Sequence, residues 1–350
     1  MKIAVLLSGG VDSSVALNLL KREGEHDLKA YYLKIWLEDE LAFLGDCPWE
    51  SDLKFARSVC ARAGVKLEVV SLQAEYREKI VEHTLRELRA GRTPSPDIFC
   101  NQRIKFGEFF KRLTPDYDKV ASGHYARIDQ GEGIIYLKRA PDPVKDQTYF
   151  LSNLSQEQLG KALFPIGHLE KAQVRQLAAE FDLPNKDRKD SQGICFLGKI
   201  NYRDFVKFHL GEQTGDIIEL ESGLTLGTHK GFWFHTIGQR HGLGLGGGPW
   251  FVVQKDAQKN IIYISHKNQQ RQCRRDTFDV HAINWISGKP EKRDLQVKIR
   301  HSPTTEACRI KYLADGGLQV LLAHPDPGIA AGQHAVFYDE SLCLGGGIID

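Results

Sequence analysis

The sequence lacks any apolar run that approaches the ~20 residues a membrane-spanning helix needs. Its first residues predict a β-strand and not a signal peptide. Apolar residues make up 41% and charged residues 26% of the chain, which is typical of a globular protein in water. We therefore expect a cytoplasmic protein that has no membrane partner. A length of 350 residues allows two or three domains.

The chain also lacks closely spaced cysteines. Because the nearest two are thirteen positions apart, the sequence has no C-x-x-C, which argues against a zinc knuckle and a thioredoxin-type motif. We expect no resident metal site. An odd number of cysteines also argues against a disulfide framework, so functional cysteines would have to meet in space. The seven are Cys47, Cys60, Cys100, Cys195, Cys273, Cys308 and Cys343.

The segment Ser8–Ser14 (SGGVDSS) is neither a Walker loop nor a G-x-G-x-x-G fingerprint, but it follows an apolar run and precedes a helical pattern. A helix N-terminus there could bind an anion, and adjacent glycines let the backbone approach a phosphate. Asp12 could hold a ribose, a metal ion or its own helix cap. An ordinary capped turn is the alternative, but Gly9, Gly10 and three serines exceed what capping requires.

The sequence has no repeats or low-complexity segments, and its composition and predicted secondary structure change twice along the chain. Strands alternate with helices up to about residue 205, which predicts a doubly wound parallel sheet whose ligand crevice lies at the carboxyl ends of the strands. Residues 206–272 are rich in glycine and predict a small β domain. Short strands in residues 273–350 predict an antiparallel barrel, with a sandwich as the alternative.

Two cysteines lie in polar loops. Cys100 follows Pro94 and Pro96 where the pattern starts a helix, and a helix N-terminus lowers the pKa of a thiol. Asp97 could handle a proton or cap that helix. Cys195 lies in a charged loop after Lys186-Asp187-Arg188-Lys189, whose cations would favour a thiolate or persulfide. The alternative for each is a small buried cysteine.

Two further segments could bind a ligand. Gly123-His124 ends a predicted strand, so Gly123 could let an adenine or phosphate approach and His124 could donate to a phosphate. Lys145-Asp146-Gln147 could contact RNA through charge and hydrogen bonds, or it could simply begin a helix.

Together these segments resemble the tRNA-specific 2-thiouridylases of the MnmA type, within the PP-loop ATP pyrophosphatases and their adenine nucleotide α-hydrolase-like fold. The resemblance covers nearly the whole chain. It also includes Thr236-Ile237-Gly238-Gln239-Arg240 and Gly332-Gln333 ahead of Val336-Phe337-Tyr338.

The resemblance implies a role for each matching residue. Cys100 would be the nucleophile, Cys195 the persulfide carrier, and Asp97 our candidate general base. The residues implied in ATP binding are Leu7, Ser8, Gly9, Gly10, Val11, Asp12, Ser13, Ser14, Leu33 and Gly123. Those implied in tRNA binding are Ser95, Pro96, Asp97, His124, Lys145, Asp146, Gln147, Arg300, His301 and Gln333.

The implied activity is 2-thiolation of the wobble uridine, with ATP and Mg²⁺, a persulfide sulfur and a transient Cys100–Cys195 disulfide. Its partners would be the lysine, glutamate and glutamine tRNAs and a protein that relays persulfide sulfur to a monomeric enzyme. This chain departs from the family at Ser95, where Asn is common, and at His301, where Tyr is common.

Three alternatives stay open at this stage. A PP-loop ligase that forms an amide or guanidine would explain the Ser8–Ser14 loop but would give the two loop cysteines no task. A non-catalytic RNA-binding protein would leave the nucleotide fold unused. Asp97, Cys100 and Cys195 could also hold an iron–sulfur cluster, whose usual ligands are thiolates.

Overall fold

The computed structural model describes residues 1–35, 48–190, 201–267 and 275–350. The helices in this part are Val11–Glu23 (α1), Pro48–Ala63, Gln73–Tyr76, Arg77–Val81, Glu82–Arg89, Pro96–Phe99, Cys100–Glu108, Phe109–Arg112, Thr148–Leu151, Gln156–Lys161, Lys171–Glu180, Tyr202–Leu210 and a short Phe232–Phe234. The three pieces from Pro96 to Arg112 run on without a break, and we call them the Cys100 helix.

Seventeen strands lie in the same described ranges. In chain order they are β1 Lys2–Leu6, β2 Asp27–Lys34, β3 Lys66–Ser71, β4 Lys119–Ala121, β5 Ala126–Gly131, β6 Ile134–Arg139, β7 Ala162–Leu163, β8 Gly215–Glu219, β9 Thr225–His229, β10 Trp250–Asp256, β11 Ile261–His266, β12 Arg275–Trp285, β13 Asp294–Lys298, β14 Glu306–Tyr312, β15 Leu318–Asp326, β16 His334–Asp339 and β17 Leu342–Ile349.

The first sheet is parallel, with strand order β3-β2-β1-β4-β7. Successive side chains of a strand point to opposite faces, and in β1 both sets are buried. Ile3 and Val5 pack in one hydrophobic cluster, while Ala4 and Leu6 pack in another. Because both faces are covered, the sheet is doubly wound, as its alternating sequence predicts.

The second sheet has the order β10-β11-β8-β9 and belongs to the glycine-rich segment. β10 and β11 pair antiparallel. β11 and β8 run parallel, whereas β8 and β9 form an antiparallel hairpin. No helix in the described ranges is long and apolar enough to cross a membrane.

The third sheet is a closed antiparallel barrel that carries an extra hairpin. Its order is β12-β15-β14-β13-β16-β17, and β12 also pairs with β17, which closes the ring. The barrel therefore confirms the predicted fold class. The hairpin β5–β6 comes from the first part of the chain and joins the barrel through the pairing of Leu137 with Cys343. Apart from this hairpin, the predicted divisions near residues 205 and 272 separate the three sheets, and the boundaries themselves stay predictions.

Candidate active site

The Ser8–Ser14 loop lies at the carboxyl edge of the parallel sheet, between β1 and α1. Gly9 has φ +77°, and a Cβ there would lie 2.2 Å from the backbone oxygen of Asp52, so the position requires glycine. Gly10 caps α1 without a side-chain hydrogen bond, and its carbonyl accepts from the hydroxyls of Ser13 (3.1 Å) and Ser14 (2.8 Å). The loop is therefore more than a capped turn, because its serines stabilise the backbone next to an open helix N-terminus.

Gly123 and Leu33 lie at the same edge as the loop. A Cβ on Gly123 would be 2.6 Å from the backbone nitrogen of Ser13, so only glycine lets this segment approach the first turn of α1. Leu33 lies in β2, whose Tyr31 pairs with Leu6 at the end of β1. The structure thus brings together Leu7, Ser8, Gly9, Gly10, Val11, Asp12, Ser13, Ser14, Leu33 and Gly123, the residues predicted to bind ATP.

Two residues hold the loop in place, and the sequence analysis predicted this role for neither of them. The buried Asn185 donates from Nδ2 to the carbonyl of Gly9 (2.8 Å) and to Ser14 Oγ (2.9 Å). Arg188 donates to the same carbonyl at 3.2 Å and forms an ion pair with Asp52. Their partners lie more than 130 positions away in sequence, so no local pattern could have identified them.

Asp12 belongs to a network of charges at the start of α1. Its Oδ1 accepts from the hydroxyl of Tyr125 at 2.8 Å and from Lys171 Nζ at 2.6 Å. Lys171 also pairs with Asp190 at 2.8 Å, and Lys145 Nζ lies 2.6 Å from the same carboxylate. Burial opposes the ionisation of Asp190, but hydrogen bonds from Lys145 and Lys171 lower its pKa to about 2. Lys171 therefore links Asp12 of the Ser8–Ser14 loop to Asp190, the residue that precedes Ser191–Phe196.

Cys195 and the rest of that segment lie outside the described residues, as do Cys47 and Cys273. The predicted meeting of Cys195 with Cys100 is therefore untested. Within the described ranges, no group of three or more His, Cys, Asp or Glu side chains could hold a metal ion.

Cys100 lies deeper, and farther along its helix, than the sequence predicts. The helix was expected to begin at about residue 101, but it begins at Pro96, and the Cys100 N–H already donates to backbone carbonyls of the preceding turn. The dipole effect decays within the first turn, so our argument for activation by a helix N-terminus was wrong for Cys100. Its side chain is 1% exposed and packs in the main hydrophobic cluster. Asp97 is instead the acidic residue of that first turn.

The loop before the Cys100 helix contacts both of the following domains. The backbone N–H of Thr93 donates to Ala331 of the barrel at 2.7 Å, and its hydroxyl lies 3.5 Å from that of Thr236. A Cβ on Gly332, which has φ +90°, would be 2.9 Å from Arg92. Ser95 follows in this loop and is half-buried, and Pro96 is buried.

The predicted tRNA-binding residues of the first domain differ in exposure. His124 is half-buried, and its Nδ1 lies 2.8 Å from the Ser122 hydroxyl. Burial, with the nearby Lys105, lowers the pKa of His124 well below its usual value, so its ring is neutral at pH 7. Gln147 accepts from the backbone of Tyr125 at 3.0 Å.

Asp146 is fully buried at the border with the barrel. Its Oδ2 lies 3.1 Å from Nζ of Lys298, which is also fully buried, and 3.2 Å from Arg139 Nε. Thr148 and the backbone of Ala140 donate to Oδ1. The carboxylate thus joins the hairpin β5–β6, the Lys145–Gln147 segment and the barrel. Its part in tRNA binding stays a prediction.

The barrel places Arg300 and His301 at the end of β13, close to that segment. Arg300 forms a two-point ion pair with Asp326 at 3.0 and 2.8 Å. His301 is exposed, and its Nε2 lies 3.3 Å from the Asp146 carbonyl. Gln333 is half-buried and precedes the fully buried His334, whose ring contacts Phe99 beside Cys100.

Comparison with known proteins agrees with this arrangement. Residues 1–199 match the family model described as "tRNA methyl transferase HUP domain", residues 203–266 match its PRC-barrel domain, and residues 275–349 match the aminomethyltransferase beta-barrel domain. Among solved structures, the U34-tRNA thiolase NcsA of Methanococcus maripaludis is 18% identical, with a TM-score of 0.36, over 59% of this chain and 63% of its own. That likeness is too distant to carry an argument.

Full-length relatives are much closer. The tRNA-specific 2-thiouridylase MnmA of Parabacteroides distasonis is 45% identical over 100% of this chain and 99% of its own. The protein named tRNA-specific 2-thiouridylase MnmA 2 in Bacteroides fragilis is 46% identical, over 100% of both chains. At this identity over the whole length, and with the Ser8–Ser14 loop and Gly123 in contact, the chain belongs to the tRNA-specific 2-thiouridylase (MnmA) family.

Proposed function

We propose that this protein is a sulfurtransferase that uses ATP to convert the wobble uridine of tRNA into 2-thiouridine. The observation that carries the proposal is its identity of about 45% with 2-thiouridylases over the entire chain. The substrates would be the lysine, glutamate and glutamine tRNAs, and a persulfide relay protein would supply the sulfur.

Adenylation is the first step. The C2 oxygen of the uracil attacks the α-phosphate of ATP, which expels pyrophosphate and turns a poor leaving group into a phosphate ester. The N-terminus of α1 and the backbone of Gly9 and Gly123 support this step, because preorganised N–H donors stabilise developing negative charge. Lys171 adds a fixed cation beside Asp12. Mg²⁺ would accompany the phosphates, and carboxylate oxygens are suitable ligands for this ion.

Sulfur transfer follows. The terminal sulfur of a persulfide on Cys195 attacks C2, and AMP leaves. The Cys100 thiolate then attacks Sγ of Cys195, the S–S bond to the transferred sulfur breaks, and its electron pair forms the thiocarbonyl. A Cys100–Cys195 disulfide remains, which an external dithiol must reduce. Asp97 is the candidate general base for these proton transfers.

The test is mass spectrometry of tRNA incubated with ATP, Mg²⁺ and a persulfide source. We expect a gain of sulfur at the wobble uridine with the unmodified protein. The variants Cys100→Ser and Cys195→Ser should release pyrophosphate but transfer no sulfur. Cys308→Ala, which removes another buried thiol far from the loop, should remain active.

Each alternative predicts a different outcome. A ligase would keep full turnover in both cysteine variants, and this result would sink the thiolation scheme. A non-catalytic RNA-binding protein would release no pyrophosphate, and a methyl transferase would add the mass of a methyl group. An enzyme with an iron–sulfur cluster on Asp97, Cys100 and Cys195 would need anaerobic loading with iron.

A further inference from the structure

The helix that carries Cys100 changes its winding at that residue. Pro96–Phe99 is α-helical, whereas Cys100–Glu108 is a π-helix, in which a backbone N–H donates to the carbonyl five residues earlier. The N–H of Phe109 still donates to the Ile104 carbonyl in this way. A π-helix is rare, rarely lasts more than one turn and is frequent at functional sites. We therefore looked for contacts that stabilise the wider winding.

Gln158 makes such a contact from outside the helix. Its Nε2 donates to the carbonyls of Gln102 and Phe106, each at 2.8 Å. Its Oε1 accepts from the backbone N–H of Ser155 at 3.0 Å, within the capping box that begins the helix Gln156–Lys161. The amide thus uses its oxygen and both of its N–H groups, and it ties the π-helix to the start of another helix.

Gly107 acts on one of the same carbonyls from within the helix. A Cβ at this position would lie 2.7 Å from the backbone oxygen of Gln102, which is closer than a side-chain carbon approaches such an atom. The winding therefore depends on two independent features, the missing Cβ of Gly107 and the amide donor of Gln158. Each of them can be removed by a single substitution.

The winding also decides which side chains share a face of the helix with Cys100. In an α-helix, Lys105 would lie about 140° around the axis from Cys100. Where hydrogen bonds reach the fifth residue, Lys105 lies one turn along, on nearly the same side. The other charged residues of Cys100–Glu108 are engaged elsewhere, since Arg103 lies over the Phe99 ring at 4.1 Å and Glu108 forms ion pairs with two lysines.

The side of the helix that carries Lys105 borders the ligand edge of the parallel sheet. The charge of Lys105 adds to the effect of burial in lowering the pKa of His124, whose ring centroid is 6.2 Å from that of Phe106. His124 follows Gly123, which contacts the first turn of α1. A cation beside a buried thiol favours its thiolate, and the helix N-terminus does not supply this effect at Cys100.

We propose that Gln158 is a positioning residue for sulfur transfer, which holds the π-helix so that Lys105 lies beside Cys100 and favours its thiolate. The proposal rests on the proposed function, which makes Cys100 the nucleophile. Gln158 touches no substrate in this scheme and acts only through the helix. An α-helical winding would keep Cys100 in the core but would turn Lys105 away from it.

The test measures the thiolate of Cys100 in the full-length protein. Its ultraviolet absorbance is recorded at neutral pH, and the spectrum of Cys100→Ser is subtracted. A neighbouring cation lowers the pKa of a thiol by one unit or more, so Lys105→Gln should reduce the signal by up to about tenfold. Gln158→Glu should show the same loss, because it still accepts from Ser155 but cannot donate to the π-helix. The neutral variant Gln158→Leu should agree with it.

Ser155→Ala is the matched control, because it removes the capping hydroxyl and leaves the Nε2 contacts of Gln158 in place. Its thiolate signal should be unchanged, whereas Gly107→Ala should lose the signal as Gln158→Glu does. The proposal is overturned if the Gln158 variants keep the signal, or if Ser155→Ala loses it equally. If the Gln158 variants do not fold, as judged by circular dichroism, an unchanged signal in Lys105→Gln or Gly107→Ala also overturns it.

Sulfur transfer is measured separately, so the two proposals can fail separately. Gln158→Glu should release pyrophosphate with an unchanged KM for ATP but transfer sulfur about 10- to 100-fold more slowly. If the unmodified protein transfers no sulfur while the thiolate signal depends on Gln158 and Lys105, thiolation fails and the positioning of Lys105 stands. If the unmodified protein transfers sulfur while its thiolate signal is absent or independent of both residues, the positioning role fails alone.

Discussion

The buried ion pair between Asp146 and Lys298 makes a prediction about stability. Both side chains are fully buried, and Nζ of Lys298 lies 3.1 Å from Oδ2 of Asp146. Removing one partner of such a pair costs about 3–5 kcal/mol, since the other charge is left buried. Asp146→Asn keeps the shape and can still accept a hydrogen bond, so we expect a loss of about 3 kcal/mol at pH 7.

The loss should depend on pH with a definite sign. Burial already lowers the pKa of Lys298 in spite of the opposing charge of Asp146. In Asp146→Asn this pKa falls further below the unfolded value of about 10.4. The unfolded state then binds more protons over this interval, so the stability of the variant rises as the pH rises. The difference in free energy of unfolding between the unmodified protein and Asp146→Asn should therefore decrease between about pH 7 and pH 10, because Lys298 is neutral in the folded variant over this range.

Urea unfolding followed by tryptophan fluorescence measures both effects. Asp294→Asn is the matched control, because Asp294 lies on the same strand as Lys298 and its exposed ion pair with Arg309 of β14 should contribute at most ~1 kcal/mol. The reasoning is refuted if the two variants are equally stable, or if the deficit of Asp146→Asn is the same at both ends of the pH range.

Three further variants test the geometry of the site. Gly123→Ala should abolish ATP-dependent pyrophosphate release in a folded protein, because the new Cβ lies 2.6 Å from backbone of α1, whereas Gly246→Ala meets nothing within 4 Å and should be silent. Gly332→Ala should lower sulfur transfer by at least about tenfold, since misplacing reacting groups by ~1 Å can cost up to a hundredfold. Its control is Gly316→Ala, which has the same positive φ but no neighbour, so equal activity of the two would contradict the contact argument. Asn185→Ala should raise the KM for ATP several-fold in steady-state assays by releasing the Gly9 carbonyl, and an unchanged KM would show that the loop holds itself.

The sequence predicts the parts of the site whose functional residues lie next to one another along the chain. Two adjacent glycines between an apolar strand and an amphipathic helix identify the Ser8–Ser14 loop, and parallel alternation brings Gly123 to the same edge. The start of the Cys100 helix was predicted about five residues too late, although Pro96 is typical of a first helical turn.

The remaining parts depend on contacts between distant positions. Lys298 looks like any other strand lysine in the sequence, and its burial follows only from the docking of the barrel on Asp146. Lys171 likewise acquires its two carboxylate partners from segments 159 and 19 positions away, a separation over which patterns of hydrophobicity and turn residues carry no information.

The hairpin β5–β6 also has a consequence for the synthesis of the chain. Leu137 pairs with Cys343, so the hairpin leaves the ribosome about 200 residues before its partner strand. At typical bacterial rates of about 5–20 residues per second, this edge waits on the order of 10–40 s without its neighbour. An unpaired edge strand is a template for aggregation. Slow translation, or termination before β17, therefore exposes the nascent chain to misassembly. The hairpin of the first domain is covered at this edge only when β17 has been synthesised and has paired with β6.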